Sequence, residues 1–272
     1  MDRCVETFPV DRFRELLGVP PGTYSRADNF QRKVIDPAAL GETEEGMDRL
    51  EEIEKATARL VTQALAEYQE SARQIFKDES DLQGDIGEDI TREALERMGV
   101  SGTRIRVIGK IDYKRARLVL HPEYGVRQAL LVDSKAEKGA ANNARLQTSQ
   151  TSLEIRQVRA GQEVAVQGSL PAVLDRDGIQ FLTTTVFVKY HYRATEHGNN
   201  LRLIQIITLP NGMLQSRYNP DAQHSIWNVG ANAPARGEAF RTRINFQRLR
   251  ALAAWRDQGI RLDPAEPFRW VG

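Results

Sequence analysis

Val107-Ile-Gly-Lys-Ile-Asp-Tyr-Lys-Arg115 and Leu130-Leu-Val-Asp-Ser-Lys-Ala136 decide how this chain is read. Asp112 ends one apolar segment. Asp133 and Lys135 close another, Ala129 to Val132. Side chains on a strand alternate faces, so Asp133 and Lys135 point one way and Ser134 the other. Between Asp112 and Asp133 there is room for one hairpin. If the two segments pair as neighbouring strands, both carboxylates converge on one divalent cation with an ammonium beside them. A metal-dependent phosphodiesterase needs that arrangement.

The chemistry explains why. A phosphodiester is an anion, so it repels an attacking hydroxide, and its leaving oxygen must be stabilised. Mg²⁺ is a hard cation that takes carboxylate oxygens and keeps waters. Held by Asp112 and Asp133, it would orient a water, lower its pKa and neutralise developing charge. The backbone carbonyl of Ser134 or Val132 is a further candidate ligand. Lys135 would hold the attacking water or stabilise the transition state by its charge. Glu88 lies at the edge of the apolar stripe Ile90, Ala94, Leu95 and Met98, which makes it a candidate outer ligand or second-metal ligand. A solvated pairing with Arg92 is the plainer reading of the same residue. His121, His191, His197 and His224 show no metal or triad spacing, and no Gly-Xaa-Ser-Xaa-Gly elbow is present.

Composition narrows the class. Over 272 residues, 40% are apolar and 28% charged, which reads as a soluble globular chain of one large or two small domains. Cys4 is the only cysteine, which excludes an internal disulfide and a cysteine zinc site. A cytosolic compartment fits. No run of about 18 apolar residues reads as a membrane span, and the first residues lack a signal pattern. The net charge of +1 says little about partners, but its distribution does. Residues 236–256 carry Arg236, Arg241, Arg243, Arg248, Arg250 and Arg256 against the single acid Glu238. Arg241, Arg243 and Asn245 alternate with Phe240, Thr242 and Ile244, which on a strand sets two guanidinium forks and an amide on one face. Arginine grips guanine O6 and N7 and asparagine pairs with adenine, so this face is a candidate base reader. An arginine-rich solvated face is the competing reading.

Apolar residues from Met47 to Phe76 recur at three- and four-residue spacing and predict one long helix over 46–77. A second helix is expected from Asp85 to Met98, closed by Gly99. Strands are expected at 104–110, 117–120, 128–132, 163–166, 179–192 and 201–209. A polar loop is expected over 137–144. A third helix is expected from Ala144 to Val158, with Arg145 and Gln147 on a polar face able to hydrogen-bond phosphates or bases. The fold class is α/β: a mixed central β-sheet of five or more strands flanked by helices.

These segments resemble the SfiI-like type II restriction endonucleases of the PD-(D/E)XK superfamily. The resemblance rests on Gly109-Lys-Ile-Asp-Tyr-Lys-Arg-Ala-Arg117, on Leu130 to Ala136, and on Glu88-Asp-Ile-Thr91. It extends to Thr184-Thr-Val-Phe-Val188, Arg217-Tyr-Asn-Pro-Asp221 and Pro234-Ala-Arg-Gly-Glu238 followed by Arg241 and Arg243, in order along the chain. It implies a PD-(D/E)XK (restriction endonuclease-like) core and Mg²⁺-dependent cleavage of both strands of duplex DNA in a bacterial cytoplasm. It further implies a homo-oligomer, with a tetramer favoured over a dimer, that acts on an interrupted palindrome with GGCC half-sites. Asp112, Asp133 and Lys135 fall at the catalytic positions, and Arg241 and Arg243 where base-reading residues are expected. The host is expected to carry a cognate DNA methyltransferase. Ile111 replaces the proline of the superfamily name, and a basic residue of the family is missing around Gly230-Ala-Asn-Ala233. Residues 1–45 have no counterpart, which leaves an N-terminal arm or cap before a single nuclease domain over 46–272. The other readings are a DNA-binding protein with a decayed site and a repair or junction nuclease.

Overall fold

The Thr43 hydroxyl accepts a hydrogen bond from Gly46 N at 3.0 Å and starts helix α1 (Glu44–Glu67), with Glu44 and Glu45 complementing its dipole. This is seen in a computed structural model describing residues 34–79, 83–100, 103–108, 114–121, 123–139, 142–229 and 240–272. The single helix expected over 46–77 is interrupted at Tyr68 and continues as α2 (Gln69–Asp78). Periodicity could not show this, because Tyr68 is held by tertiary contacts. Its hydroxyl bonds Glu93, and Arg97 lies 4.7 Å over its ring, both on α3 (Gln83–Arg97). Gly99, at a φ of 72°, ends α3 as expected. Two shorter helices follow, α4 (Gln215–Tyr218) and α5 (Phe246–Leu252).

The strands are β1 (Thr103–Ile108), β2 (Lys114–Leu120), β3 (Arg127–Lys138), β4 (Asn143–Gln147), β5 (Glu154–Arg159) and β6 (Gln162–Gln167). They continue with β7 (Val173–Arg176), β8 (Ile179–Thr195), β9 (Gly198–Leu209), β10 (Trp227–Val229), β11 (Arg241–Asn245) and β12 (Asp257–Arg261). The central sheet runs β1-β2-β3-β8-β9-β12, with β7 also paired to β8. Its β3–β8 ladder is parallel and the others are antiparallel, so the sheet is mixed as expected. A three-stranded sheet, β10-β11-β4, and a hairpin, β5-β6, complete the molecule.

Three expectations are corrected. The segment leading into Asp112 does not pair with the Asp133 strand: β2, which begins after Asp112, lies between β1 and β3. Apolar letters mark a strand but not its neighbour. The helix expected over 144–158 is instead β4, a 3₁₀ turn (Thr148–Gln150) and β5. Ala144 and Leu146 are buried and Arg145 is exposed between them, a period of two. The 137–144 loop is partly strand, because β3 runs on to Lys138.

Packing follows the faces of the central sheet. Leu130, Val186, Val188, Tyr190, Ile204 and Ile206 meet the helical layer through Val61, Leu65, Phe76, Ile90 and Leu95. On the opposite face Phe187, Ile207 and Leu209 meet Leu146, Trp227, Ile244 and Phe246 of the small-sheet layer. Ahead of α1, Leu40 is buried in that second core and Ile35 bridges to Val126. Among the described residues no helix is long and apolar enough to cross a membrane.

A buried ion pair joins α1 to the chain before β12. Glu54 and Arg256 are both fully buried, with 2.7 Å between Oε2 and a guanidinium nitrogen. Glu54 Oε1 accepts from Asn211 N at 2.8 Å, and the guanidinium lies 4.3 Å from the Tyr218 ring and 4.2 Å from the Trp255 ring. Breaking such a pair strands one charge in the core. Glu54→Ala is therefore expected to lower unfolding free energy by about 3–5 kcal/mol, read as a shift in the denaturant midpoint.

Candidate active site and nucleic-acid cleft

The pairing with β2 covers only Arg127–Leu130 of β3, whereas the ladder with β8 runs from Gln128 to Lys138. Asp133, Lys135 and Glu137 follow one another on one face beyond the β2 pairing. Lys135 Nζ lies 2.8 Å from Asp133 Oδ2, with side chains 32% and 20% exposed. The Phe187 ring is 5.9 Å from that ammonium. Asp112 is not among the described residues, so its place beside Asp133 rests on the resemblance of its segment to the family's catalytic segments and not on strand pairing.

The strand expected to carry Arg241, Arg243 and Asn245 on one face forms. β11 lies antiparallel to β4, with Arg241 opposite Gln147, Arg243 opposite Arg145 and Asn245 opposite Asn143. Thr242 and Ile244 are buried on the other side, as the alternation requires. Lys135, Glu137 and Lys138 of β3 line a cleft of about 700 Å³ together with Asn143, Arg145 and Gln147 of β4 and Arg241 and Arg243 of β11. Asp133 is ion-paired to one of the lining residues, Lys135. The sequence therefore found Lys135, Arg145, Gln147, Arg241 and Arg243 as separate candidates, and the fold brings them to one cleft. Two guanidinium groups facing each other across a ladder are destabilising on their own. The Arg145–Arg243 pair is a cost that an anionic ligand would remove.

Other candidates lie elsewhere. Asn245 is engaged within the protein: its Oδ1 accepts from Arg248 N at 3.1 Å and caps α5. Its amide nitrogen lies 3.4 Å from Asn228 Oδ1. Ser134 faces the helical layer, where its hydroxyl meets that of Thr91 at 2.7 Å. Thr91 also bonds the Tyr190 hydroxyl at 2.7 Å, and burial pushes the Tyr190 pKa up, so that hydroxyl keeps its proton. Glu88 is exposed and shares a small hollow with Thr91, Arg92 and Ser134, on the helical side of β3. Arg236 lies outside the described residues.

Sequence reasoning passed over Glu137 and Lys189. Glu137 extends the every-other-residue series of Asp133 and Lys135, a signal hidden by reading 137–144 as a loop. Lys189 carried no signal, since a lysine in an apolar run reads as a solvated edge.

Comparisons with known proteins show the family. The family model described as type II restriction enzyme SfiI matches residues 58–260. The chain belongs to the SfiI family of type II restriction enzymes. It is, accordingly, a site-specific deoxyribonuclease. The type II restriction enzyme SfiI of Streptomyces fimbriatus is 36% identical over 229 residues, covering 79% of this chain and 85% of the relative. The crystal structure of tetrameric SfiI bound to cognate DNA superposes with a TM-score of 0.67 at 34% identity, covering 79% of this chain and 85% of that one. The restriction endonuclease BglI bound to its DNA recognition sequence gives a TM-score of 0.64 at 16% identity, over 83% and 95% of the two chains, and shares the fold. A second family model, Initiator Rep protein, WH2, matches residues 9–39.

The Thr91 hydroxyl ties α3 to β3 through Ser134 and to β8 through Tyr190. Thr91→Val keeps the shape and leaves those hydroxyls short of a partner, so a loss of about 1–3 kcal/mol is expected in chemical denaturation.

Proposed function

We propose that this SfiI-family enzyme hydrolyses duplex DNA with Asp112, Asp133 and Lys135 as its catalytic set, at a sequence chosen by Arg241 and Arg243. The observation that carries the reading is a single cleft lined by Lys135, the ion-pair partner of Asp133, and by the β4–β11 arginine ladder. Five cations line that cleft against one carboxylate, a field that attracts a polyanion.

The donor chemistry fits a divalent cation. Asp133 is a hard oxygen donor, partly exposed beside an open cleft, and one or two carboxylates with waters and phosphate oxygens suit Mg²⁺. Asp112 and Asp133 would hold the ion, with a backbone carbonyl near Ser134 as a further ligand. Bound there, Mg²⁺ supplies Lewis-acid polarisation of the phosphate and a more acidic water. Lys135 holds a positive charge where the attacking water and the non-bridging oxygens gather, which lowers the cost of charge in the transition state. Arg145 and Gln147 grip the backbone or base edges beside the two reading arginines. Arg236 completes the candidate DNA-contacting set, while Asn245, whose side chain caps α5, fixes the end of the reading strand. Glu88 stands on the far face of β3 and would act only as an outer ligand.

The assembly follows the relatives. SfiI is tetrameric and bound to cognate DNA, and the same arrangement is proposed for this chain. Its target is then an interrupted palindrome with GGCC-like half-sites, in a bacterial cytoplasm protected by a partner methyltransferase. Residues 46–272 would form the nuclease domain, with 1–45 as an arm or cap that precedes it.

Two measurements test this reading. Asp133→Ala should abolish plasmid cleavage in magnesium while site-specific binding in calcium persists; discrete fragments from that variant would overturn the catalytic assignment. Arg241→Ala and Arg243→Ala should each cost about 1–3 kcal/mol of discrimination between the cognate and a one-base-changed site. A loss that is equal for all sequences, with a shallower salt slope, would show them to be phosphate contacts instead.

A further inference from the structure

Lys189 lies on β8, directly across the parallel ladder from Lys135. Its side chain is fully buried, yet it carries an ammonium within 2.9 Å of two oxygens. One is Glu137 Oε2, on β3 two residues beyond Lys135. The other is the backbone carbonyl of Asn143, the first residue of β4. The Phe246 ring, which opens α5 just after β11, lies 5.3 Å from the same nitrogen. One buried cation thus touches the strand that carries Asp133 and Lys135, the strand that carries Arg145 and Gln147, and the residue following Arg241–Asn245.

Elementary energetics makes this an unusual choice for packing alone. A buried ammonium costs several kcal/mol in desolvation, and an unbranched apolar side chain of similar volume is commonly as stable or more so. Two lysines opposite each other on neighbouring strands add repulsion. What the ammonium supplies and an apolar chain does not is direction. It fixes the Asn143 carbonyl against the Glu137 carboxylate, and hence the small sheet against the central one. Between those two anchors the chain passes from β3 to β4 in four residues, 139–142.

We propose that Lys189 is a positioning residue that couples base reading to cleavage by holding the β4–β11 ladder in register with the Asp133–Lys135 strand. The proposal rests on the catalytic and base-reading roles assigned above. With the correct sequence bound, the ladder and the scissile phosphate are placed by one rigid body. Without the Lys189 tie, the ladder still binds, but correct recognition no longer brings the phosphate reliably to Lys135.

The test is Lys189→Met, which removes the charge and keeps an unbranched chain against Phe246. Cleavage in magnesium is measured on a cognate site and on a site with one changed base pair, alongside calcium-supported binding to both. Cognate cleavage is expected to fall about 30-fold and near-cognate cleavage by less than about threefold, so their ratio drops about tenfold while binding of the cognate site changes little. An equal fall on both sites, or an unchanged ratio in a protein with a wild-type denaturation midpoint, would overturn the coupling. If Lys189→Met folds poorly, the Glu137→Gln, Lys189→Met double variant removes both charges and is read in the same way. Arg243→Ala is measured in parallel. Unchanged sequence preference there overturns the base-reading role, and the coupling with it. Altered preference there, with an unaltered ratio in Lys189→Met, overturns the coupling alone.

Discussion

The parallel ladder between β3 and β8 is the constraint on which the site depends. Eleven residue pairs, from Gln128 opposite Leu182 to Lys138 opposite Tyr192, hold β3 straight well past the end of its pairing with β2. Strand alternation then does two things at once. It sends Leu130, Val132 and Ala136 into the helical core, and it sends Asp133, Lys135 and Glu137 to the other face. A slip of one residue would exchange these sets, burying the acid and base and exposing the apolar residues. Hydrophobic burial on one side is therefore what keeps the charged chemistry on the other.

The functional face is expensive to build. Arg145 faces Arg243 across one ladder and Lys135 faces Lys189 across another. The arginine pairing works against the folded state, while Asp133 and Glu137 ion-pair the two lysines. The core offsets this with apolar burial and with partnered polar groups such as Thr91 with Ser134 and Tyr190. Concentrating like charge in a cleft is what a protein does when the missing counter-charge belongs to its ligand, and DNA carries that charge along its whole length.

Much of this was legible in the letters. Asp133-Ser-Lys135 after an apolar run declared its strand and the shared face of its acid and lysine, because alternation is a local property. The same logic placed Arg241 and Arg243 on one face of a strand. Local reasoning failed at 144–158, where polar residues favoured a helix and burial of Ala144 and Leu146 imposed a strand. It failed again at Tyr68, where contacts from α3 interrupt a helix whose periodicity continues unbroken. Asn245 read as a base contact, but its side chain is committed to starting α5 three residues before Arg248.

By itself, the sequence determined the residue chemistry, the family and the alternation of each strand, since all three are carried by neighbours in the chain. Only the tertiary structure decided which strands are neighbours: β2 rather than β1 beside β3, and β4 beside β11. It alone brought Arg145 and Gln147 opposite Arg243 and Arg241, and gave Lys189 its two oxygens from segments about fifty residues away in the chain. Such pairings are set by burial summed over whole faces, a quantity that no short stretch of sequence contains.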